Sequence, residues 1–164
     1  MQIRIRDAHD EDWAAIWPFF RAITAAGETY TYPRDIDSGT GRALWMPGPP
    51  GHTVVAVAED GTVLGSAKTG PNQMGPGAHI ATASFMVSPA AAGRGVGRAL
   101  GEYVLARAKA EGYRAMQFNA VVQSNVRAVA LWKSLGFEVV GTVPEAYRLP
   151  DGSFTGLHVM HRVL

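Results

Sequence analysis

The residues with the clearest chemical potential form a glycine-rich turn between a strand-like segment and a helix-like segment. Ser84–Pro89 is apolar and β-rich, and the turn Gly93-Arg94-Gly95-Val96-Gly97-Arg98 follows it. The first N–H groups of a helix lack intrahelical partners, and the helix dipole favours negative charge beside them. Glycine leaves room for a ligand to approach the backbone, and Arg94 and Arg98 add positive charge. The turn therefore predicts a pyrophosphate site, with a plain tight turn as the alternative.

Two common phosphate-binding motifs do not fit this turn. In the dinucleotide pattern Gly-x-Gly-x-x-Gly, the last glycine is Arg98 when counting from Gly93, and Leu100 when counting from Gly95. The Gly-Lys-Ser/Thr of nucleoside-triphosphate loops is absent, as is the Gly-x-Ser-x-Gly of serine hydrolases. The chain also contains no cysteine, which excludes thiolate nucleophiles and disulfides.

A second block of residues lies downstream of the glycine turn. It contains Asn125, Ala128, Trp132 and Gly136-Phe137. With Gly93-Arg94-Gly95-Val96-Gly97, this block resembles the GNAT superfamily of acetyl-CoA-dependent N-acetyltransferases. The resemblance covers the whole chain in element order and is strongest from Ser84 to Gly141. Details around Phe118-Asn119 and Leu131–Phe137 resemble the branch that includes amino- and imino-acid acetyltransferases.

The resemblance implies a set of coenzyme-binding residues. The backbone of Phe85, Met86 and Val87 would pair with the pantetheine arm, and one of these N–H groups would polarise the thioester carbonyl. Asn125 would hydrogen-bond the pantetheine arm, and it also suits the N-cap of a helix. The residues implied to hold the pyrophosphate are Gly93, Arg94, Gly95, Val96, Gly97 and Arg98.

Two positions depart from the family pattern. Ala92 replaces the Arg or Gln that usually begins the glycine loop, so one side-chain contact to phosphate is missing. Trp132 replaces the Tyr that protonates the leaving thiolate in many members. An indole N–H donates hydrogen bonds but is not a usable acid near neutral pH. We therefore expect Trp132 to pack along the coenzyme tunnel.

The acceptor amine must lose a proton before it can attack a thioester. The resemblance implies a carboxylate on one of the central strands, but neither His79–Val87 nor Arg114–Val121 contains one. It also implies that the loop holding Glu28 folds over the acceptor pocket, so Glu28 is the candidate base, with a solvated loop residue as the alternative. Asn119 is the other candidate catalytic residue and also a candidate for binding a substrate carboxylate or carbonyl, with a structural amide as the alternative. The candidate walls of the acceptor pocket are Tyr30, Tyr32 and Tyr147, with ordinary packing at the edge of the core as the alternative.

Hydrophobic periodicity predicts an α/β (α+β) fold made of one domain over 1–164. The GNAT resemblance implies a mixed, mostly antiparallel sheet that is flanked by helices and splayed at the coenzyme-binding strands. The predicted strands are Gln2–Arg6, His52–Ala58, Thr62–Thr69, His79–Val87, Arg114–Val121, Phe137–Val143 and Phe154–Val163. The predicted helices are one from Trp13 to Gly27 that Pro18 would disturb, a short one near Gly41–Trp45, Arg94–Glu111 and Asn125–Leu135.

The composition of the chain limits the classes of partner that it is expected to bind. Fifteen basic and 14 acidic residues give a net charge of +1, which offers no electrostatic case for nucleic-acid or membrane binding. His158 and His161 would face opposite sides of a strand, so no metal site is predicted. We expect acetyl-CoA as co-substrate, a small-molecule amine as acceptor, a cytoplasmic location and a homodimer through the terminal strand Phe154–Val163. The alternatives are a non-catalytic coenzyme-A-binding module, or acetylation of a protein N-terminus or an antibiotic.

Overall fold

The computed structural model describes residues 1–164, and its strands all belong to one sheet. Short 3₁₀ turns lie at Asp10–Asp12, Gly75–Gly77 and Pro89–Ala91. The strands are β1 (Arg4–Asp7), β2 (His52–Val57), β3 (Val63–Pro71), β4 (Ile80–Val87), β5 (Ala115–Val122), β6 (Glu138–Arg148) and β7 (Phe154–Val163). The helices are α1 (Trp13–Ala26), α2 (Ser38–Trp45), α3 (Val96–Ala110) and α4 (Val126–Ser134).

The strand order across the sheet is β1-β2-β3-β4-β5-β7-β6. Every neighbouring pair is antiparallel except β4 and β5, which run parallel. Helices cover both faces of the sheet. This architecture confirms the predicted mixed, mostly antiparallel α/β sheet flanked by helices.

The alternating side chains of β2 explain how one sheet supports two cores. Val54 and Ala56 pack into a cluster with α3 and α4, while Val55 and Val57 pack into a cluster with α1 and α2. Successive side chains of a strand point to opposite faces, so a strand covered on both sides is a continuous apolar run. The loop after α1 and the glycine turn before α3 therefore lie on opposite faces of the same strands.

The two central parallel strands separate soon after they start. Only Ile80 with Ala115 and Ala81 with Met116 are paired between β4 and β5. Farther along, β5 contains a bulge: from Phe118 to Val121 the chain advances three residues, while the paired segment of β7 advances only two. A gap therefore opens between the C-terminal halves of β4 and β5, as the resemblance implied.

The prediction that the terminal strand offers a free edge for a homodimer was wrong. Phe154–Val163 pairs with β5 on one side and β6 on the other, so it has no free edge. Its residue Met160 is completely buried, which is typical of an interior strand. The free edge on this side of the sheet is β6, which extends to Arg148 rather than ending at Val143.

Helix boundaries differ slightly from the prediction. Helix α3 begins at Val96 rather than Arg94, because Gly93 and Gly95 have φ angles of 77° and 80°, outside the right-handed helical region. Helix α1 runs through Pro18 to Ala26, and Gly27 ends it in the left-handed conformation. No helix has both the length and the apolar character that crossing a bilayer requires.

Candidate active site

The gap between β4 and β5 forms a cavity with a volume of about 430 Å³. Most of its lining is hydrophobic, and it contains no Asp, Glu, His, Lys or Arg. The loop after α1 closes it on one face, and α4 closes it on the other. The lining residues used below are Tyr30, Tyr32, Phe85, Val87, Asn119, Asn125 and Trp132.

The backbone of β4 has a free edge facing this gap. Ser88 donates its N–H to Leu64, and Ile80 accepts from Asn72, so even-numbered residues direct their peptide groups toward β3. Peptide groups alternate along a strand. Ala83, Phe85 and Val87 therefore direct their N–H and C=O groups into the gap, where β5 is too far away to pair with them. An extended ligand can add to this edge as a strand would.

The hydroxyl group of Tyr30 is bound to this free edge. It accepts a 2.9 Å hydrogen bond from the N–H of Phe85 and donates a 2.5 Å bond to the carbonyl oxygen of the same residue. Burial raises the pKa of the Tyr30 hydroxyl, which keeps it protonated. The hydroxyl of Tyr147 donates a 2.8 Å bond to the backbone carbonyl of Tyr30. The sequence placed Tyr30, Tyr32 and Tyr147 near the acceptor, but it did not indicate this contact with the strand.

The glycine turn leads from β4 into the N-terminus of α3. Gly95 is the N-cap and offers no side-chain oxygen, so the first N–H groups of the helix remain available for an anion. Gly97 lies inside the first turn of the helix, where a Cβ would make ordinary van der Waals contact with Leu131 of α4 at 3.4 Å. Arg98 donates to Ser134 at 2.6 Å and lies near Glu102, while Arg94 is exposed.

Trp132 is buried between the gap and the core. Its ring centroid lies 4.7 Å from that of Phe85 and 4.9 Å from that of Phe118. With 8% of its surface exposed, it lines the cavity as an apolar wall. This placement agrees with the packing role expected from an indole at this position.

The two asparagines of the second block lie at different points of the cavity. Asn125 accepts a 3.4 Å bond from the N–H of Ala128 and so caps α4. Asn119 sits on the β5 bulge, where it exchanges hydrogen bonds with Asn72 and accepts one from Gln117 at 2.9 Å. Asn119 is exposed, so a ligand that enters the cavity can exchange with these partners.

Glu28 lies outside the cavity between β4 and β5. It lines an adjoining depression together with Asn125, Arg127 and Asp151. Its charge contributes to raising the pKa of Tyr147, although burial is the larger cause. The structure therefore does not bring Glu28 into direct contact with the β4 edge.

Two polar residues near the cavity were missed by sequence reasoning. Lys68 lies opposite Ser84 across β3 and β4, with its ammonium 5.7 Å from the Tyr32 ring. It donates to the carbonyl of Leu44 and forms no ion pair. Asn72 follows β3 and contacts Asn119. Strand periodicity could have placed Lys68 on the same face as Ser66, but no local signal links Asn72 to β5.

Comparison with known proteins decides the family. The pattern of the Acetyltransferase (GNAT) family matches residues 7–137. The chain belongs to the GNAT acetyltransferase family. This membership confirms the sequence-based prediction of an acetyl-CoA-dependent N-acetyltransferase domain and of its fold.

Three similar proteins show how closely this chain resembles other acetyltransferases. A GCN5-related N-acetyltransferase from Kribbella flavida is 58% identical, with a TM-score of 0.95 over 99% of this chain and 98% of that one. A phosphinothricin acetyltransferase from Sinorhizobium meliloti, solved in complex with acetyl-CoA, is 25% identical, with a TM-score of 0.89 over 100% of this chain and 89% of that one. N-acetyltransferase aca1 from Schizosaccharomyces pombe is 34% identical over 88 residues, which are 54% of this GNAT chain but only 42% of the yeast protein.

Proposed function

We propose that this GNAT protein transfers the acetyl group of acetyl-CoA to the amine of a small, amino-acid-like molecule, by direct attack in a ternary complex. The observation that carries the proposal is the free edge of β4, which runs along an apolar gap into the N-terminus of α3. A thioester arm and a pyrophosphate need these two features in this order. The similar Sinorhizobium meliloti enzyme was solved with acetyl-CoA, which supports the same co-substrate here.

The residues around the gap fit the coenzyme. The peptide groups of Phe85 and Val87 would pair with the pantetheine arm, and Met86 between them faces β3. Asn125 would offer its amide to the arm while it caps α4. The glycine turn and the first N–H groups of α3, with Arg94 and Arg98 beside them, would hold the pyrophosphate.

The acceptor side supports an amino-acid-like ligand. Lys68 supplies an ammonium without a carboxylate partner next to Tyr32, which is a wall of the cavity. A carboxylate on the acceptor would complete an ion pair there. Asn119 would bind a carbonyl or carboxylate from the β5 side, in exchange for its contacts with Asn72 and Gln117.

Removal of the amine proton requires a route out of the cavity, because the lining holds no carboxylate or imidazole. We propose that Glu28 accepts this proton through water from the adjoining depression. Trp132 cannot protonate the departing thiolate, so solvent would supply that proton.

The experiment that tests the proposal is product identification. The protein is incubated with acetyl-CoA and a mixture of amino acids, imino acids, polyamines, short peptides and an aminoglycoside, and the products are identified by mass spectrometry. Acetylated amino or imino acids are expected. Acetylation of the peptides or the aminoglycoside alone would favour the two alternative acceptors, and acetyl-CoA binding without any product would favour a non-catalytic module.

The predicted homodimer and cytoplasmic location stay predictions. A dimer through pairing of strands at the C-terminal side of the sheet would use β6, whose edge is free and whose Val140 and Val143 are 69% and 55% exposed. If the dimer forms, sedimentation should give the mass of two chains for the unmodified protein and the mass of one chain for the Val143→Asp variant. A single-chain mass for the unmodified protein would contradict the dimer.

A further inference from the structure

The hydroxyl of Tyr30 occupies a position in the gap where a reacting oxygen belongs. We propose that Tyr30 is a catalytic residue whose hydroxyl donates a hydrogen bond to the thioester oxygen as negative charge develops on it, alongside the N–H of Phe85. The inference rests on acetyl-CoA as the co-substrate of the proposed function. It does not depend on which amine is the acceptor.

The first argument is that an oxygen atom already fits at this N–H group. The Tyr30 oxygen lies 2.9 Å from the nitrogen of Phe85, which is the distance expected for an N–H···O hydrogen bond. Donors of an oxyanion site act at about 2.7 to 3.1 Å from the oxygen that becomes charged. A thioester carbonyl that pairs with Phe85 would therefore take the place that the phenol oxygen holds.

The second argument concerns the phenol after that exchange. Tyr30 also donates to the carbonyl of Phe85, at 2.5 Å. The N–H and C=O groups of one extended residue point the same way, so both bonds lie at a single point of the β4 edge. An oxygen that replaces the phenol on the N–H stays within reach of the phenol proton after a small shift of the ring. Phe85 then contributes one donor, and Tyr30 contributes the second.

The third argument is that packing confines the ring of Tyr30 to this part of the gap and that its hydroxyl stays protonated. Its ring stacks on Tyr32 with centroids 5.4 Å apart and meets Trp45 edge-on at 6.2 Å. Tyr147 fixes the Tyr30 backbone. Burial raises the pKa of Tyr30, so the group serves as a hydrogen-bond donor without giving up its proton. Once the thioester oxygen has entered, a ring confined in this way keeps its donor next to that oxygen, so little reorganisation is needed during the reaction.

The step is a simple addition and elimination. The amine nitrogen forms a bond to the carbonyl carbon, and the π electrons of the C=O move to oxygen, where Phe85 and Tyr30 donate. The C=O bond then re-forms and the C–S bond breaks, leaving its electron pair on sulfur. Before the attack, Glu28 takes one proton from the ammonium form of the acceptor through water. After it, the protonated nitrogen of the adduct releases a second proton to water, and solvent protonates the thiolate. Tyr30 keeps its proton throughout.

The test uses the Tyr30→Phe variant and two readouts. The first is the infrared stretching frequency of the thioester carbonyl in bound, carbonyl-labelled acetyl-CoA, which needs no acceptor. A second donor weakens the C=O bond, so this frequency is expected to be lower in the unmodified protein than in Tyr30→Phe. Tyr103→Phe, which removes the hydroxyl of a half-buried tyrosine on α3 outside the cavity, is the matched control and leaves the frequency unchanged.

The second readout is whether the substitution changes kcat or changes KM. Tyr30→Phe is expected to lower kcat on the order of 10²-fold while KM for acetyl-CoA does not rise, because loss of one oxyanion donor acts on the transition state. An unchanged carbonyl frequency and unchanged kcat would overturn the inference, as would a rate loss explained by weaker acetyl-CoA binding. If the frequency shifts as expected but no tested amine is acetylated, the Tyr30 contact stands and the proposed acceptor class fails.

Discussion

The hydroxyl of Tyr147 and the backbone carbonyl of Tyr30 are joined by a 2.8 Å hydrogen bond across 117 positions of sequence. Tyr147 reaches this carbonyl because β6 contains a bulge. Val143 pairs with Leu157 and Tyr147 with Thr155, so an advance of four residues along β6 matches only two residues along β7. Within the bulge, Glu145 has a positive φ of 54°. The extra residues turn Tyr147 inward, where only 7% of it is exposed. The bulge thus connects the far edge of the sheet to the loop over the cavity.

Replacing Tyr147 by Phe should loosen this loop. The carbonyl of Tyr30 would lose its partner while the ring still fills its site, so the free energy of unfolding should fall by about 1–3 kcal/mol. The rate of acetyl transfer should fall as well, because the Tyr30 ring is less well placed. Chemical denaturation and steady-state rates check both effects. Unchanged stability together with unchanged rate would show that the bond is not formed in solution.

Gly65 is expected to tolerate no side chain. A Cβ at this position would lie 2.8 Å from the carbonyl oxygen of Met86 and 3.0 Å from Val96, where β4 and α3 meet. Gly65→Ala should therefore lower the free energy of unfolding by about 1–3 kcal/mol and weaken acetyl-CoA binding. Gly141→Ala is the matched control, because this strand glycine has open space around it. Equal denaturation midpoints for the two variants would contradict the packing described for the β4–α3 junction.

Asp12 should make stability depend on acid pH. The hydrogen bond from Arg6 is the main cause that lowers the pKa of Asp12, and the N–H of His9 adds to it. A lowered pKa means that the stabilisation is present above about pH 4, the ordinary range of an aspartate, and is lost as the pH falls through the lowered pKa. Asp12→Asn should cost about 1 kcal/mol near neutral pH and nothing in strong acid, below the lowered pKa. A cost that stays constant across this pH range would rule out the ion pair as its source.

Sequence patterns predicted the elements well where the signal is local. Gly93 and Gly95 adopt the positive φ angles that a tight glycine turn requires, and Trp132 is buried as an indole in that position should be. Strand periodicity identified β7 but gave no information about its neighbours. The assignment of a free edge to Phe154–Val163 failed because the last strand inserts between β5 and β6, and spatial order depends on packing between distant segments.

The candidate site could be predicted only in part for the same reason. The glycine turn and Asn125 are recognisable because their spacing along the chain is fixed. The contact of Tyr30 with Phe85 and that of Asn72 with Asn119 join residues 55 and 47 positions apart. Both contacts depend on the position at which β4 and β5 separate, and no local residue pattern indicates that position.

Glu28 gives a direct test of the proton route. If Glu28 accepts the amine proton through water, Glu28→Gln should lower kcat/KM on the order of 10²-fold near neutral pH, and the loss should shrink at high pH, where the amine is already neutral. Asp151→Asn removes a second carboxylate of the same depression and should keep the full rate. A Glu28→Gln rate profile that matches the unmodified protein at every pH would remove Glu28 from the mechanism.

The most direct test of the central claim is the rate of thiol release from acetyl-CoA with matched acceptor pairs, each an amino acid and its carboxamide. We expect release that depends on the amine, yields the N-acetylated product, and has a lower KM for the amino acid because Lys68 attracts its carboxylate. Release that is no faster with any amino acid or amide than without an acceptor would contradict the proposed acetyl transfer to an amino-acid-like amine.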